Sequence, residues 1–414
     1  MRAVTRVRIA TVAIVAVWIA LMIKLMIADV WDETNGMLAF CDPAHPLGFK
    51  IHFVLTQSLG FWRPLPTLIC VGVLHFIRDF DVNWRILRAI DIAMLAGASL
   101  FFTRAIERWS ERDDVRELVF TIALLFSGSA VIAAGWYANI FDASALLLLA
   151  AGAYLLSRGW FLEAGLVFGV AFFCKETAAL AFAFLLLLLA AGRITFRNAL
   201  RAGIPAAIFG ASYFILRSRI VAFGSSSDVH GFDAKLFLPT LINLAESFWR
   251  QTLKGSGPGV IGFVFLLISI AVLRRPKLIA AALALIVATA VLYWAMIMPY
   301  QDGVLMSHLN FIGRLYLIPV ALMLVILAIE RRTIAIAVLL IPIVFGAFTT
   351  YRDHARLQRT YRRIYRTAAE SKTKPLIVDF AEKPLHDTVR GVEIGAMPNA
   401  PVTIDERTGQ LRFR

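Results

Sequence analysis

Charge is what this sequence has least of. Only 17% of its 414 residues are charged, and acids are the scarcer sign: 28 Asp and Glu stand against 42 Lys and Arg. Soluble domains carry roughly a quarter charged residues, so a chain exposed to water over its whole surface is excluded. Cysteine is rarer still. Cys41, Cys70 and Cys174 are too few and too scattered for a disulfide framework or a zinc site. There is no internal repeat and no low-complexity tract. What remains is apolar: 59% hydrophobic residues and a mean hydropathy of +0.74. Several runs exceed the length needed to cross a hydrocarbon core of about 30 Å, which makes this a polytopic membrane protein.

The first apolar run, 9–30, follows Arg2, Arg6 and Arg8. It is long and lacks a small-residue cleavage site, so it reads as a retained signal anchor with its amino terminus in the cytoplasm. Further spans are expected at 84–105, 118–135, 143–157, 160–173, 178–192, 202–217, 259–273, 278–298, 315–329 and 333–350. That gives an all-α protein of about eleven transmembrane helices, in which 160–173 and 178–192 could form one bent element. The net charge of +14 and pI of 10.1 come largely from Arg in the loops. Orientation and anionic headgroups account for that charge better than nucleic acid does.

The amino terminus, 104–116, Arg158, 193–201, "RRPK" (274–277) and "ERR" (330–332) alternate onto one face and are rich in Arg. The positive-inside rule makes that face cytoplasmic. The other face collects 31–83, 218–258, 299–314 and the tail from Tyr351. In 31–83, "FKIHFVLTQSLGFW" and "LPTLICVGVLHFIRDF" read as short helices lying in the interface. Two domains result: a transmembrane module over 1–350, and an extracytoplasmic tail over 351–414 that begins with a basic helix. The tail ends in a small α/β-type appendage, signalled by β-type alternation and by the turn Glu406-Arg407-Thr408-Gly409.

The polar residues that need explaining fall on the second face. Asp32 and Glu33 emerge side by side from the first span, where ionisable groups are functional candidates by default. Arg63 stands between an aromatic pair and Pro64, where an interfacial anchor is the plain alternative. Asp142 begins a span, where N-capping would suffice. Lys175 and Glu176 lie between two apolar runs and could simply pair with each other. His308, Arg314 and Tyr316 flank or enter a late span, and for Arg314 alone a topogenic role would do. Jointly they place acids beside the cations Arg63, Lys175 and Arg314. Cations of this kind recognise phosphate, and a carboxylate can take a proton from an incoming hydroxyl.

Taken in order, these segments resemble the integral membrane glycosyltransferases of the GT-C superfamily, which include protein O-mannosyltransferases and the aminoarabinose transferases of lipid A. "WDE" (31–33) resembles the Asp-Glu pair that follows their first span. "WRPL" (62–65) resembles an aromatic-Arg-Pro-Leu element of their first outer loop. "KET" (175–177) and "GRLYLIP" (313–319) resemble two later motifs, and Asp142 resembles a second acidic position. "RLYLIP" lacks the aromatic that usually follows Arg, there is no tetratricopeptide array, and the His-rich elements after "WRPL" stop at His75.

The resemblance implies a GT-C-like fold and an inverting transfer at the outer face, from a polyprenyl-phosphate-linked sugar to an acceptor hydroxyl or amine on a lipid, glycan or protein. In that scheme Asp32 is the base, with Glu33 and Asp142 orienting it. Arg63, Lys175 and Arg314 hold the donor phosphate, and Glu176, His308 and Tyr316 are further site candidates. No cofactor is called for; a divalent cation among Asp32, Glu33 and Asp142 is the alternative, since hard cations take oxygen ligands. The partners are the lipid donor, the acceptor and membrane lipids, with no nucleic acid. The expected location is the bacterial inner membrane, with the site facing the periplasm or exterior. Two rivals stand beside this scheme. One is a polysaccharide polymerase or ligase using a polyprenyl-diphosphate donor, with His230, Lys235, Arg250 and Lys254 in its large outer loop. The other is a flippase or transporter of a lipid-linked sugar.

Overall fold

The computed structural model describes residues 2–24, 45–56, 62–77, 80–110, 115–135, 140–220, 234–238, 241, 273–296, 317–330, 348 and 352, with three short strands near the carboxyl end. Helices dominate. Their order is α1 (Arg2–Lys24), α2 (Leu47–Thr56), α3 (Pro64–Phe76), α4 (Phe80–Ser110), α5 (Val115–Leu125), α6 (Gly128–Gly135), α7 (Ile140–Ser157), α8 (Phe161–Ala171), α9 (Leu180–Ala190), α10 (Phe196–Ile220), α11 (Pro276–Met296) and α12 (Leu317–Ile329). Among the described residues, four segments are long and apolar enough to cross a membrane: Val7–Lys24, Arg85–Ser110, Ile140–Ser157 and Phe196–Ile220. α2, α3, α8, α9, α11 and α12 supply shorter apolar helices. Most of the expected spans 259–273 and 333–350 lie outside the described residues.

One expected span is divided. The run 118–135 is not one helix but α5 and α6, broken at Phe126 and Ser127. The Ser127 hydroxyl donates to the Leu124 carbonyl at 2.8 Å and accepts from the Ala130 amide at 3.1 Å, so one side chain closes α5 and caps α6. Between α8 and α9 the chain turns at Phe172–Cys174, passes through the extended residue Lys175, and enters a 3-10 turn, Glu176–Ala179. At 1.5 Å per residue, α8 and α9 are each about 16 Å long, roughly half a bilayer core. The expected spans 160–173 and 178–192 are therefore separate elements that meet at the "KET" turn.

Side-chain contacts fix which helix ends lie together. α4 and α7 run in the same direction. Leu87 shares a buried cluster with Ile140 and Phe141 near the starts of both, while Phe101 and Arg108 meet Tyr154 toward their ends. α8 and α10 are parallel too and approach closely. A Cβ on Gly165 would lie 2.3 Å from the Ala202 carbonyl oxygen, and one on Gly169 would lie 2.5 Å from the Phe209 Cβ. The spacing Gly165-x-x-x-Gly169 clears one stripe of α8, which is how membrane helices approach at backbone distance. At one end of the bundle Arg8 pairs with Glu107, and Arg104 reaches the same carboxylate at 2.7 Å. Arg193 donates to the carbonyls of Trp109 at 2.9 Å and Ile329 at 3.4 Å, and Arg275 meets Glu330 at 3.2 Å. The Arg-rich loops thus gather at a common end, as their alternation along the chain predicts.

Between these ends lies a continuous apolar core that includes Trp18, Phe102, Phe120, Phe168 and Phe184, together with the inner face of α12. In the tail, β1 (Val378–Phe380) pairs in parallel with β2 (Val402–Asp405), and β2 pairs antiparallel with β3 (Gln410–Phe413). The β2–β3 connection is 406–409, the segment carrying the turn signal.

Candidate functional site

The end opposite the Arg-rich loops brings together residues far apart in sequence. Pro64 and Pro66 start α3, and Pro at these first positions costs the helix no needed amide. The Leu65 amide donates to the Phe173 carbonyl at 3.3 Å, tying "WRPL" to the turn before "KET". Trp62 stacks on Tyr213 of α10 with centroids 5.6 Å apart, and Phe173 packs edge-on against both rings. This aromatic brace holds Arg63 beside the KET turn.

Lys175 and Glu176 do not pair with each other. Lys175 has an extended backbone, φ −165° and ψ 146°, while Glu176 begins the 3-10 turn, so the two side chains diverge. The Lys175 ammonium lies 2.5 and 2.6 Å from the two carboxylate oxygens of Asp142, in the first turn of α7. Arg63 donates through Nε at 3.2 Å and Nη2 at 3.1 Å to Oε2 of Glu176. All four side chains are buried, at 2–6% exposure. Arg63 also lies over the Phe141 ring at 5.3 Å, and because Phe141 neighbours Asp142, the two pairs form one patch.

The second oxygen of Glu176 has its own neighbours. The Tyr213 hydroxyl is 2.8 Å from Oε1 and 2.9 Å from the Trp62 carbonyl, one proton facing two acceptors. Arg217, one turn further along α10, brings Nε to 3.5 Å from Oε1. Burial alone would push the Glu176 carboxyl up, but the Arg63 and Arg217 guanidiniums beside it, a backbone hydrogen bond and the Tyr213 hydroxyl outweigh that and hold it at about 2.

Of the residues that the sequence nominates, Arg63, Asp142, Lys175 and Glu176 meet in this patch. Asp32, Glu33, His308, Arg314 and Tyr316 lie outside the described residues. Among the described residues no group of three or more His, Cys, Asp or Glu side chains could hold a metal ion; of the carboxylates considered for a cation, only Asp142 is described.

Four participants escape the sequence reading. Tyr213 and Arg217 stand four apart on one helix face, a spacing that would have flagged them had Arg217 not passed for the basic end of a span. Arg88 and Asp91 are fully buried in α4, and an ionisable pair inside an apolar run is itself a signal. Neither carboxylate oxygen of Asp91 has a hydrogen-bond partner among the described residues. No family model matches the chain, and neither does any curated protein or solved structure.

Proposed function

We propose that this protein is a membrane glycosyltransferase of the GT-C type. It moves a sugar from a polyprenyl-phosphate donor to an acceptor hydroxyl or amine, with inversion, at the bundle end opposite its Arg-rich loops. In a bacterial cell that end would face the periplasm or exterior. The observation that supports this reading is the meeting of three separated segments, "WRPL", Asp142 and "KET", in one buried ionic patch. Those are three of the segments on which the resemblance rests, and a chain that kept them only as interfacial anchors or helix caps would have no reason to bring them together.

Asp32 takes the acceptor's proton, with Glu33 orienting it, while Arg314 meets the donor phosphate. Arg63 and Lys175 each already hold a carboxylate, so in this reading they act on the phosphate as fixed charges. The ion pairs fix where those two cations stand before any substrate arrives, and electrostatic catalysis of this kind draws its rate from fixed charges. The phosphate leaves without a general acid once its charge is met.

The test is transfer from radiolabelled polyprenyl-phosphate hexoses and pentoses by purified protein in lipid. Asp32→Asn should abolish transfer while insertion and thermal melting stay unchanged; full activity in that variant overturns the assignment. A second reading, a flippase for a lipid-linked sugar, draws on Arg88 and Asp91, since buried ionisable groups inside a span mark transport pathways. Vesicle flux of the lipid without any glycosyl transfer would select it.

A further inference from the structure

The cations of the patch are not equivalent. Lys175 is held by both oxygens of Asp142, and Arg63 places two nitrogens on one oxygen of Glu176. The other Glu176 oxygen is taken by the Tyr213 hydroxyl at 2.8 Å. Arg217 is left 3.5 Å from that oxygen, and its Nε is buried with no hydrogen-bond acceptor among the described residues. Its side chain is 16% exposed, more than any of the four residues in the two ion pairs. Among the described residues, three cations, Arg63, Lys175 and Arg217, face two carboxylates, Asp142 and Glu176, and of the three it is Arg217 that sits farthest from the carboxylate it meets. Two further buried donors at the same node, Trp62 Nε1 and Thr177 Oγ1, also lack an acceptor among the described residues. A cation set off from its carboxylate, among buried donors that lack an acceptor, suits an anion rich in acceptor oxygens.

We propose that Arg217 binds the phosphate of the lipid donor, and that its charge answers the negative charge that appears there as the sugar leaves. This rests on the glycosyl-transfer reading. In the donor the phosphate is a diester with one negative charge. During transfer the bond between the anomeric carbon and the phosphate oxygen breaks, and its electron pair goes to that oxygen. A new bond forms from the acceptor oxygen or nitrogen to the anomeric carbon, and the acceptor's proton goes to the carboxylate base. The product is a polyprenyl monophosphate, which carries up to two negative charges. A cation whose partners are incomplete in the free enzyme gains most when that second charge develops, which is how a binding group raises turnover as well as affinity. Arg suits the task better than Lys because its planar fork can hold two phosphate oxygens at once.

The experiment is a binding titration on the full chain in nanodiscs, with polyprenyl monophosphate, a polyprenyl methyl phosphodiester, neutral polyprenol and inorganic phosphate as the probes. Wild-type protein should prefer the monophosphate over the diester and the alcohol, and inorganic phosphate should compete only weakly if the site belongs to a lipid. Arg217→Gln should weaken monophosphate binding by roughly tenfold or more, the worth of one charge-assisted contact. The loss for the diester should be smaller. Arg217→Lys should recover part of the affinity, and Arg219→Gln, an exposed neighbour in the same last helical turn, should change nothing. Inorganic phosphate that competes as well as the lipid would reassign the site to free phosphate and overturn the lipid assignment. Equal monophosphate affinity in wild type and Arg217→Gln overturns the role of Arg217 and leaves the transferase reading standing. Failure of wild type to bind any lipid phosphate overturns both. Should Arg217→Gln not fold, Arg217→Lys decides alone: a loss specific to the monophosphate supports the contact, and an equal loss for all four probes refutes it.

Discussion

The two ends of the bundle hold their charges in opposite ways. At the Arg-rich end, Arg8, Arg104 and Arg275 are 45–59% exposed, and they tie helix ends together through Glu107 and Glu330, whose own side chains are 15% and 4% exposed. At the other end, Arg63, Asp142, Lys175 and Glu176 are buried, Lys175 against Asp142 and Arg63 against Glu176. A pair whose cation stays in water is screened and contributes little, typically about 0–1 kcal/mol, so the first end owes its arrangement to orientation more than to stability. Buried pairs must recover a large desolvation cost, and apolar replacements of similar volume often do as well or better. A chain that is 59% hydrophobic had ample means to fill that space with Leu or Met. Keeping four ionisable side chains there points to a use for fixed charge.

The sharpest way to break this contrast is to remove one member of a buried pair. Lys175→Met strands the Asp142 carboxylate and should cost about 3–5 kcal/mol, read as a fall in melting temperature or in denaturant midpoint. The double variant Asp142→Leu with Lys175→Met removes both charges and should recover most of that stability while transfer stays lost. If the double variant instead remains as unstable as the single one, the pair is held for stability and the contrast fails.

Next in size is the helix contact that sets the geometry of the patch. α8 leads into the KET turn and α10 carries Tyr213 and Arg217, so their separation fixes how Glu176 meets both. Gly165→Ala places a methyl 2.3 Å from the Ala202 carbonyl oxygen, a backbone atom that cannot swing aside. The helices must part, at a cost of about 1–3 kcal/mol, and transfer should fall further than the melting temperature suggests. A fully active, equally stable variant would show that the patch tolerates loose positioning.

Much of the fold was legible because its signal is local. The positions of the four long apolar helices follow from run length, and the common end of the Arg-rich loops follows from their alternation. The break at Ser127 was not legible, because a Ser between apolar residues looks the same inside a span as at a cap until its hydroxyl has partners. Of the patch, the sequence nominated Arg63, Asp142, Lys175 and Glu176 but not who pairs with whom. Neighbouring opposite charges invite the inference that Lys175 and Glu176 satisfy each other, and the extended backbone at Lys175 is what forbids it. Tyr213 and Arg217 escaped because their role depends on α10 lying parallel to α8, a relation between helices that no single run reveals.

A smaller effect separates Glu176 from any titration that governs activity. Its carboxyl sits at about 2, below the ordinary 4.5, so the stability it contributes is fully present above about pH 4.5 and is lost as pH falls through 2. The difference in stability between wild type and Glu176→Gln should therefore stay constant from pH 5 to 8 and shrink only below about pH 4.5. A difference that already varies across pH 5–8 would mean that the carboxyl is not held in its charged form.

The least effect belongs to Arg275. It is 59% exposed, meets Glu330 at 3.2 Å, and shares that carboxylate with Arg193 at 4.0 Å. Arg275→Ala gives up one screened contact, leaves Glu330 with a cation, and frees a long side chain from being held in place. The cost should be within about 0.5 kcal/mol and should shrink further in high salt. Charge also sets orientation here, so protease accessibility of the 274–277 loop in sealed vesicles should accompany the melting curve. Removal of one Arg among several at this end should leave that loop on its original side. Were Arg275→Ala to destabilise the protein as much as Lys175→Met does, exposure would no longer distinguish the two ends, and the case that the buried pairs are kept for their chemistry would lose its contrast.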